Sequence, residues 1–231
     1  MPTKGAGRLP PQVPGERPGP VGGKRDANRR ARTEGLLDAA KKLFLEHGLE
    51  SVSIDDITRE AGVAKGSFYR YFADKEDLSR ALLAPTRERV LGAFARAQRK
   101  LSQATEPGQA RSAYLRLGRE LAAALMGDPA IARLYLQESR APGVAARLPV
   151  RELEREVVQA ARSLTEVAFA HGLLRGAHPQ VSTLSVIGAA ERLLHAFFNG
   201  ELEVDPVSAM QDLVMIVLDG IRDSGPKRPS K

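Results

Sequence analysis

The sequence predicts an all-α protein, with an N-terminal helix-turn-helix domain followed by a larger helical domain. Three observations carry the prediction. Apolar residues recur at helical spacing, as in Leu36, Leu37, Ala40, Leu43 and Phe44. Alternation of apolar and polar residues over strand lengths is missing. Glycine and proline divide the chain into helix-sized pieces at Gly48, Gly62, Gly108, Gly127, Pro129, Pro142, Gly143, Gly172, Gly176, Pro179, Gly200 and Pro206.

Length and composition set the bounds. The 231 residues suffice for one or two domains, and 42% hydrophobic with 27% charged residues describes a soluble globular chain. No window approaches the ~20 consecutive apolar residues of a membrane helix, and the N-terminus lacks the apolar core of a signal peptide. The expectation is a cytoplasmic protein with no membrane partner. The absence of cysteine excludes disulfides, thiolate metal sites and a cysteine nucleophile. A formal net charge of +7 favours a polyanionic partner, with the distribution of that charge deciding which one.

Residues 1–28 are rich in Pro and Gly, nearly free of large apolar side chains, and basic at Lys4, Arg8, Arg17, Lys24 and Arg25. Such a composition buries too little apolar surface to offset its ordering entropy, so a disordered arm is expected there, either tracking a DNA groove or simply solvated. The run Arg17 to Lys24 is not a phosphate-binding loop, because Pro18 stands at the first required glycine and Arg25 follows the lysine where Ser or Thr should be.

The first helix is expected from Asp26 or Arg29 to His47, with Asp26 and Thr33 as rival N-caps and Gly48 closing it. Its apolar stripe is placed to pack on Ile54, Ile57, Phe68 and Phe72. Arg29, Arg30 and Arg32 crowd its start and, with Lys65, Arg70 and Lys75, put positive charge at one end of the domain. His47 suits the negative end of the helix dipole.

The segment Ser53 to Leu78 asks for a specific structure. Ser53 and Asp56 have the spacing of a capping box for a helix over Ile54 to Ala61, with Ile54, Ile57 and Ala61 on one apolar face. Gly62 supplies the left-handed turn, and a second helix is expected from Ala64 or Lys65 to Phe72. At 100° per residue Phe68 and Phe72 point together to a core, leaving Gly66, Ser67, Tyr69 and Arg70 on the other side. That face is suited to a nucleic acid: Gly66 permits close backbone approach, Ser67 and Arg70 reach base edges or phosphates, and the Tyr69 hydroxyl donates to a phosphate oxygen.

The residues Ala61-Gly62-Val63, Lys65-Gly66-Ser67-Phe68-Tyr69-Arg70-Tyr71-Phe72 and Lys75-Glu76-Asp77-Leu78 closely resemble the DNA-binding segment of the tetracycline-repressor (TetR) family of transcription regulators. The resemblance is detailed over Arg29 to Leu78. It implies a recognition helix in the major groove, with Tyr69, Tyr71 and Lys75 on phosphates and Lys65, Gly66, Ser67 and Arg70 nearest the bases; Arg32 and Thr33 complete the candidate DNA-binding set. Two departures are visible: Ala64 where the family usually has a Ser or Thr cap, and Thr58 where it usually has Ala. The implied domains are 1–28, the arm; 29–78, the DNA-binding domain; 79–222, a helical regulatory and dimerisation domain; and 223–231, a disordered tail.

Asp74 is a good N-cap for a helix from Lys75 to about Leu101, with Asp77 at the third position and Ala73 and Leu78 as a hydrophobic staple. Pro85 removes the hydrogen bond to Ala81, so a kink or break is expected there. Whether that site is a hinge, as the resemblance implies, or a static bend stays open. Five further helices are expected over Gln109 to Met126, Asp128 to Ser139, Ala145 to Ala170, Gln180 to Phe198 and Pro206 to Arg222.

In this half Phe94, Tyr114, Leu117, Tyr135, Glu138, Phe169 and His195 are the candidate lining of an effector cavity, with Arg133 and Arg140 as further polar anchors. The last two helices are apolar nearly all round. Such helices need cover on two sides, which predicts a homodimer through Leu184, Ile187, Leu194, Phe198, Met210, Leu213 and Val217, burial in one larger core being the alternative. A dimer fits a pseudo-palindromic double-stranded DNA operator. No cofactor or metal is expected: His47, His171, His178 and His195 lack ligand spacing, and the acidic clusters lie at caps or exposed helix faces. The resemblance implies a repressor released from its operator by a small molecule. A constitutive DNA-binding protein, or an all-α enzyme acting on an anionic substrate, are the other readings.

Overall fold

The computed structural model describes residues 23–141, 147–170, 172 and 178–219. Among these, nine helices and no strands are found: α1 Lys24–His47, α2 Ile54–Glu60, α3 Lys65–Phe68, α4 Lys75–Ser102, α5 Pro107–Met126, α6 Pro129–Glu138, α7 Leu148–Ala170, α8 Pro179–Phe198 and α9 Pro206–Asp219.

Helix α1 starts at Lys24, inside the stretch expected to be a disordered arm. Its N-cap is Gly23, which has no side chain to offer, so neither Asp26 nor Thr33 caps it. Asp26 lies within the first turn, where a carboxylate suits the dipole and pairs with Arg30 at 2.9 Å. The remainder of the arm and the 223–231 tail fall outside the described residues.

Three clusters of buried side chains hold the helices. In the first, Leu36, Ala40 and Phe44 of α1 meet Ile57, Phe68 and Phe72, and are joined by Leu78, Leu82 and Leu83 of α4, Ile131 and Leu134 of α6, and Val150 and Leu153 of α7. Packing therefore does not divide at residue 78. The second lies between α4, α5 and α7 around Phe94, Leu101, Leu117 and Leu164, and the third joins α5 to α8 and α9 through Ala122, Leu194 and Met210. Helix α4 runs through both of the first two, which makes it the mechanical link between them.

The start of α4 follows the expected capping: Asp74 accepts from the Asp77 backbone N–H at 2.8 Å, and Asp77 accepts in turn from Ala73 N–H at 3.0 Å. The chain does not break at Pro85, and α4 continues through it as one helix. Pro85 lies on the exposed side, while Leu82, Leu83 and Thr86 around it are buried, so packing sustains the helix across the missing hydrogen bond.

Candidate nucleic-acid interface and effector cavity

The capping box at α2 is complete. The Asp56 N–H donates to Ser53 Oγ at 3.2 Å, and Asp56 Oδ2 accepts from Ser53 N–H at 3.0 Å and from its hydroxyl at 2.6 Å. These bonds, with Arg59 beside them, hold the Asp56 carboxyl below its ordinary value. Gly62 then turns the chain at φ +66°, a conformation that L side chains adopt only with strain.

Helix α3 is shorter than the sequence implied: its regular part ends at Phe68, and the chain reaches Phe72 through turns in which the Phe72 N–H still bonds the Phe68 carbonyl at 3.0 Å. Ala64 is its N-cap and makes no side-chain cap bond, as the alanine there foretold. Phe68 and Phe72 are buried with ring centroids 5.7 Å apart. They anchor a face on which Tyr69 is 53% exposed, Gly66 and Arg70 are exposed and Ser67 is half-buried. Arg70 donates to Ser67 Oγ at 3.0 Å, so both candidate base readers are held together before any ligand arrives. Lys65 pairs with Asp55 at 2.8 Å on the same exposed side. Arg32 is exposed on α1 and Thr33 half-buried beside it.

Two of the expected phosphate contacts are placed differently. Tyr71 packs its ring against the first core, with the Arg70 guanidinium 5.9 Å from the ring centroid. Lys75 turns inward: its ammonium donates to the carbonyls of Leu49 at 2.7 Å, Val52 at 2.7 Å and Glu50 at 3.3 Å. All three donors are thus engaged, so Lys75 fastens the α1–α2 loop rather than lying free for phosphate, and burial lowers its pKa. A signal was available in the sequence. A lysine at the first residue of a helix sits at the positive end of the dipole, where it needs compensating acceptors.

Behind this unit lies a cavity of about 190 Å³, enclosed by α4 to α9. Its wall is almost wholly apolar, and it includes the expected Phe94, Tyr114, Leu117 and Tyr135. Tyr114 donates to the Leu164 carbonyl at 3.2 Å and Tyr135 to Glu191 at 3.1 Å, and burial raises the pKa of both phenols. Glu191, outside the expected set, also lines the cavity; its other oxygen accepts from Arg140 at 3.1 Å. Its partner Tyr135 lies 56 positions away, a relationship that no local spacing encodes.

Three expected lining residues are elsewhere. Glu138 is buried at the end of α6, bound to Arg147 and to the Leu49 backbone rather than facing the cavity. His195 is exposed on α8 beside Asn199, and half-buried Phe169 is not part of the wall. Part of the apolar surface of α8 and α9 is covered within one chain. Leu194 and Met210 are buried in the third cluster and line the cavity, as do Ile187, Leu213 and Val217, while Phe198 is half-buried beneath the Arg133 guanidinium at 5.0 Å. Of the expected interface set only Leu184 stands well exposed, at 52%, and Val181 and Ile216 join it. The physical reason is the cavity: helices that surround a void turn apolar side chains towards it as well as towards the core.

Among the described residues, no group of three or more His, Asp or Glu is placed to hold a metal, and no helix is long and apolar enough to cross a membrane.

A capped helix, a left-handed glycine turn and a short second helix with an exposed Tyr-Arg face define a helix-turn-helix of the DNA-binding type. Residues 36–82 match the model of the bacterial regulatory proteins of the tetR family. The chain is similar to the TetR family over this N-terminal segment. It is 40% identical over 55 residues to the uncharacterized HTH-type transcriptional regulator YwcC of Bacillus subtilis, covering 24% of this chain and 25% of that one. It is 44% identical over 52 residues to the putative mycofactocin biosynthesis transcriptional regulator MftR of Mycobacterium tuberculosis, covering 22% and 26%. These similarities thus span about a quarter of the length of the curated relatives.

The likeness of fold extends further. The transcriptional regulator FadR from Bacillus subtilis, crystallised in complex with stearoyl-CoA, superimposes with a TM-score of 0.63 at 18% identity, over 82% of this chain and 99% of that one. A putative TetR-family regulator from Syntrophomonas wolfei gives 0.67 at 15% identity, over 85% and 100%.

Proposed function

We propose that the chain is a transcriptional repressor that binds a pseudo-palindromic operator as a homodimer and leaves it when an apolar small molecule fills the cavity. The observation that carries this reading is α4, a single helix that begins at the DNA-reading unit and supplies Thr86, Val90 and Phe94 to the cavity wall. One rigid element thereby joins a surface suited to DNA with a void suited to a ligand. Tyr69 and Arg70 with Arg32 are the leading DNA contacts, with Lys65, Gly66, Ser67 and Thr33 beside them. Tyr71 supports the recognition turn from within. The exposed apolar residues Val181, Leu184 and Ile216 are the leading dimer contacts. The site of action is the cytoplasm, where the operator is.

The wall offers an effector little polar recognition beyond Tyr135 and Glu191, which favours a long or flat apolar molecule. A long-chain acyl thioester is the first candidate class, since FadR, of like fold, was crystallised with stearoyl-CoA. The test begins with selection from a random duplex pool. A two-fold symmetric site should be enriched, binding should weaken steeply with salt because several phosphates are neutralised, and stearoyl-CoA should release the DNA. Failure to enrich any sequence would overturn the reading. Release by other apolar compounds but not by stearoyl-CoA would redirect the effector class alone.

A further inference from the structure

We infer that Glu138 is the positioning residue through which the cavity controls the DNA-reading unit. It does so by clamping the α1–α2 loop directly from α6. This rests on the reading of the chain as a ligand-responsive DNA-binding regulator and names a route within it.

Glu138 is the last residue of α6 and only 2% exposed. Its Oε1 accepts from the Leu49 backbone N–H at 3.0 Å and its Oε2 from Arg147 Nε at 2.5 Å, while Arg147 Nη1 reaches Glu50 at 3.2 Å. From the other side Lys75 holds the Leu49 carbonyl at 2.7 Å. Leu49, in the loop that enters the helix-turn-helix, is thus gripped at its N–H by the regulatory half and at its C=O by the reading unit. The fit is tight: a Cβ added at Gly48 would lie 3.3 Å from Glu138 Oε1.

The opposite end of this arrangement is the cavity. Helix α6 has ten residues, and Ile131, Ala132, Tyr135 and Leu136 on it line the void. Tyr135 lies one turn before Glu138, so a ligand that displaces Tyr135 moves a short rigid helix whose end carries the clamp. A buried carboxylate tolerates no partial separation, because withdrawing it from Leu49 and Arg147 leaves a charge out of water with too few partners. The clamp is therefore either made or lost, the two-state behaviour that coupling requires.

The test needs no effector. Ala190→Phe places a ring in the cavity from α8, which packs on α6, and is measured in the wild-type and Glu138→Gln backgrounds of the full chain. A carboxamide has one acceptor oxygen and cannot serve both Leu49 and Arg147. With Glu138 present, Ala190→Phe should weaken binding to the selected operator by about tenfold and speed Leu49 amide exchange by about as much. In the Glu138→Gln background the same filling change should alter operator affinity by less than about twofold. A merely structural Glu138 would lower Tm yet leave the effect of Ala190→Phe intact.

Equal weakening in both backgrounds would overturn the proposal, as would unchanged Leu49 exchange. If no operator can be selected, the functional reading fails instead, and Leu49 exchange alone decides the clamp. If Ala190→Phe does not fold, Ala161→Phe from α7 fills the same void.

Discussion

The ammonium of Lys75 lies 2.7 Å from the carbonyl oxygen of Leu49, tying the first residue of α4 to the loop that precedes α2. Lys75→Met would keep the aliphatic stem and strand the carbonyls of Leu49 and Val52. We expect a loss of about 1–3 kcal/mol, read as a fall in Tm of several degrees at unchanged helix content. A variant with wild-type Tm but lost operator binding would return Lys75 to a phosphate role.

Gly62 and Gly66 should respond oppositely to alanine. Neither has a neighbour within 4 Å of a built Cβ, but Gly62 has φ +66° and Gly66 is helical. Gly62→Ala should destabilise by about 1–2 kcal/mol through backbone strain alone. Gly66→Ala should stabilise by up to about 1 kcal/mol while weakening DNA binding, since its methyl group occupies the space into which DNA would fit. Thermal melts of the two, with operator titrations, check both signs.

Tyr69 is the most exposed aromatic of the reading face. Tyr69→Phe should leave stability within about 0.5 kcal/mol of wild type and weaken binding to all DNA sequences alike. Arg70→Ala should instead change which base pairs are preferred in a fresh selection; an identical preference profile would limit Arg70 to positioning.

In the cavity, Tyr135→Phe removes the hydrogen bond to Glu191 and leaves that carboxylate with Arg140, which is itself largely exposed. The expected cost is about 0.5–1.5 kcal/mol in chemical denaturation, together with altered effector preference. A variant indistinguishable from wild type in both would show that the pair organises neither the wall nor its ligand.

Acid should loosen the start of α2. The folded pKa of Asp56 lies below its ordinary 3.8, so its contribution is fully present above that value and lost as pH falls through the lower, folded one. A carboxyl NMR titration should place the Asp56 midpoint below 3.8, and Ser53→Ala should move it back up.

Legibility followed the range of the interaction. The box of Ser53 and Asp56, the turn at Gly62, the inward pair Phe68 and Phe72 and the cap at Asp74 all join residues within a few positions, and each was visible as a spacing. The aromatic wall of Phe94, Tyr114 and Tyr135 was visible as composition on helices. Glu138 and Glu191 were not separable in this way: each is a carboxylate on a helix, and their surroundings come from partners 89 and 56 positions away respectively.

By itself the sequence determined an all-α chain, the position and handedness of the helix-turn-helix and the residues that face outward from it, because helix periodicity, capping and glycine conformation are local physics. Only the tertiary structure decided that Lys75 turns inward, that α4 carries through Pro85, that α8 and α9 turn much of their apolar surface onto a cavity, and that Glu138 grips the loop at Leu49. These outcomes depend on which distant surfaces share the same buried space. A buried charge or an apolar helix face takes whichever partner the packing brings to it.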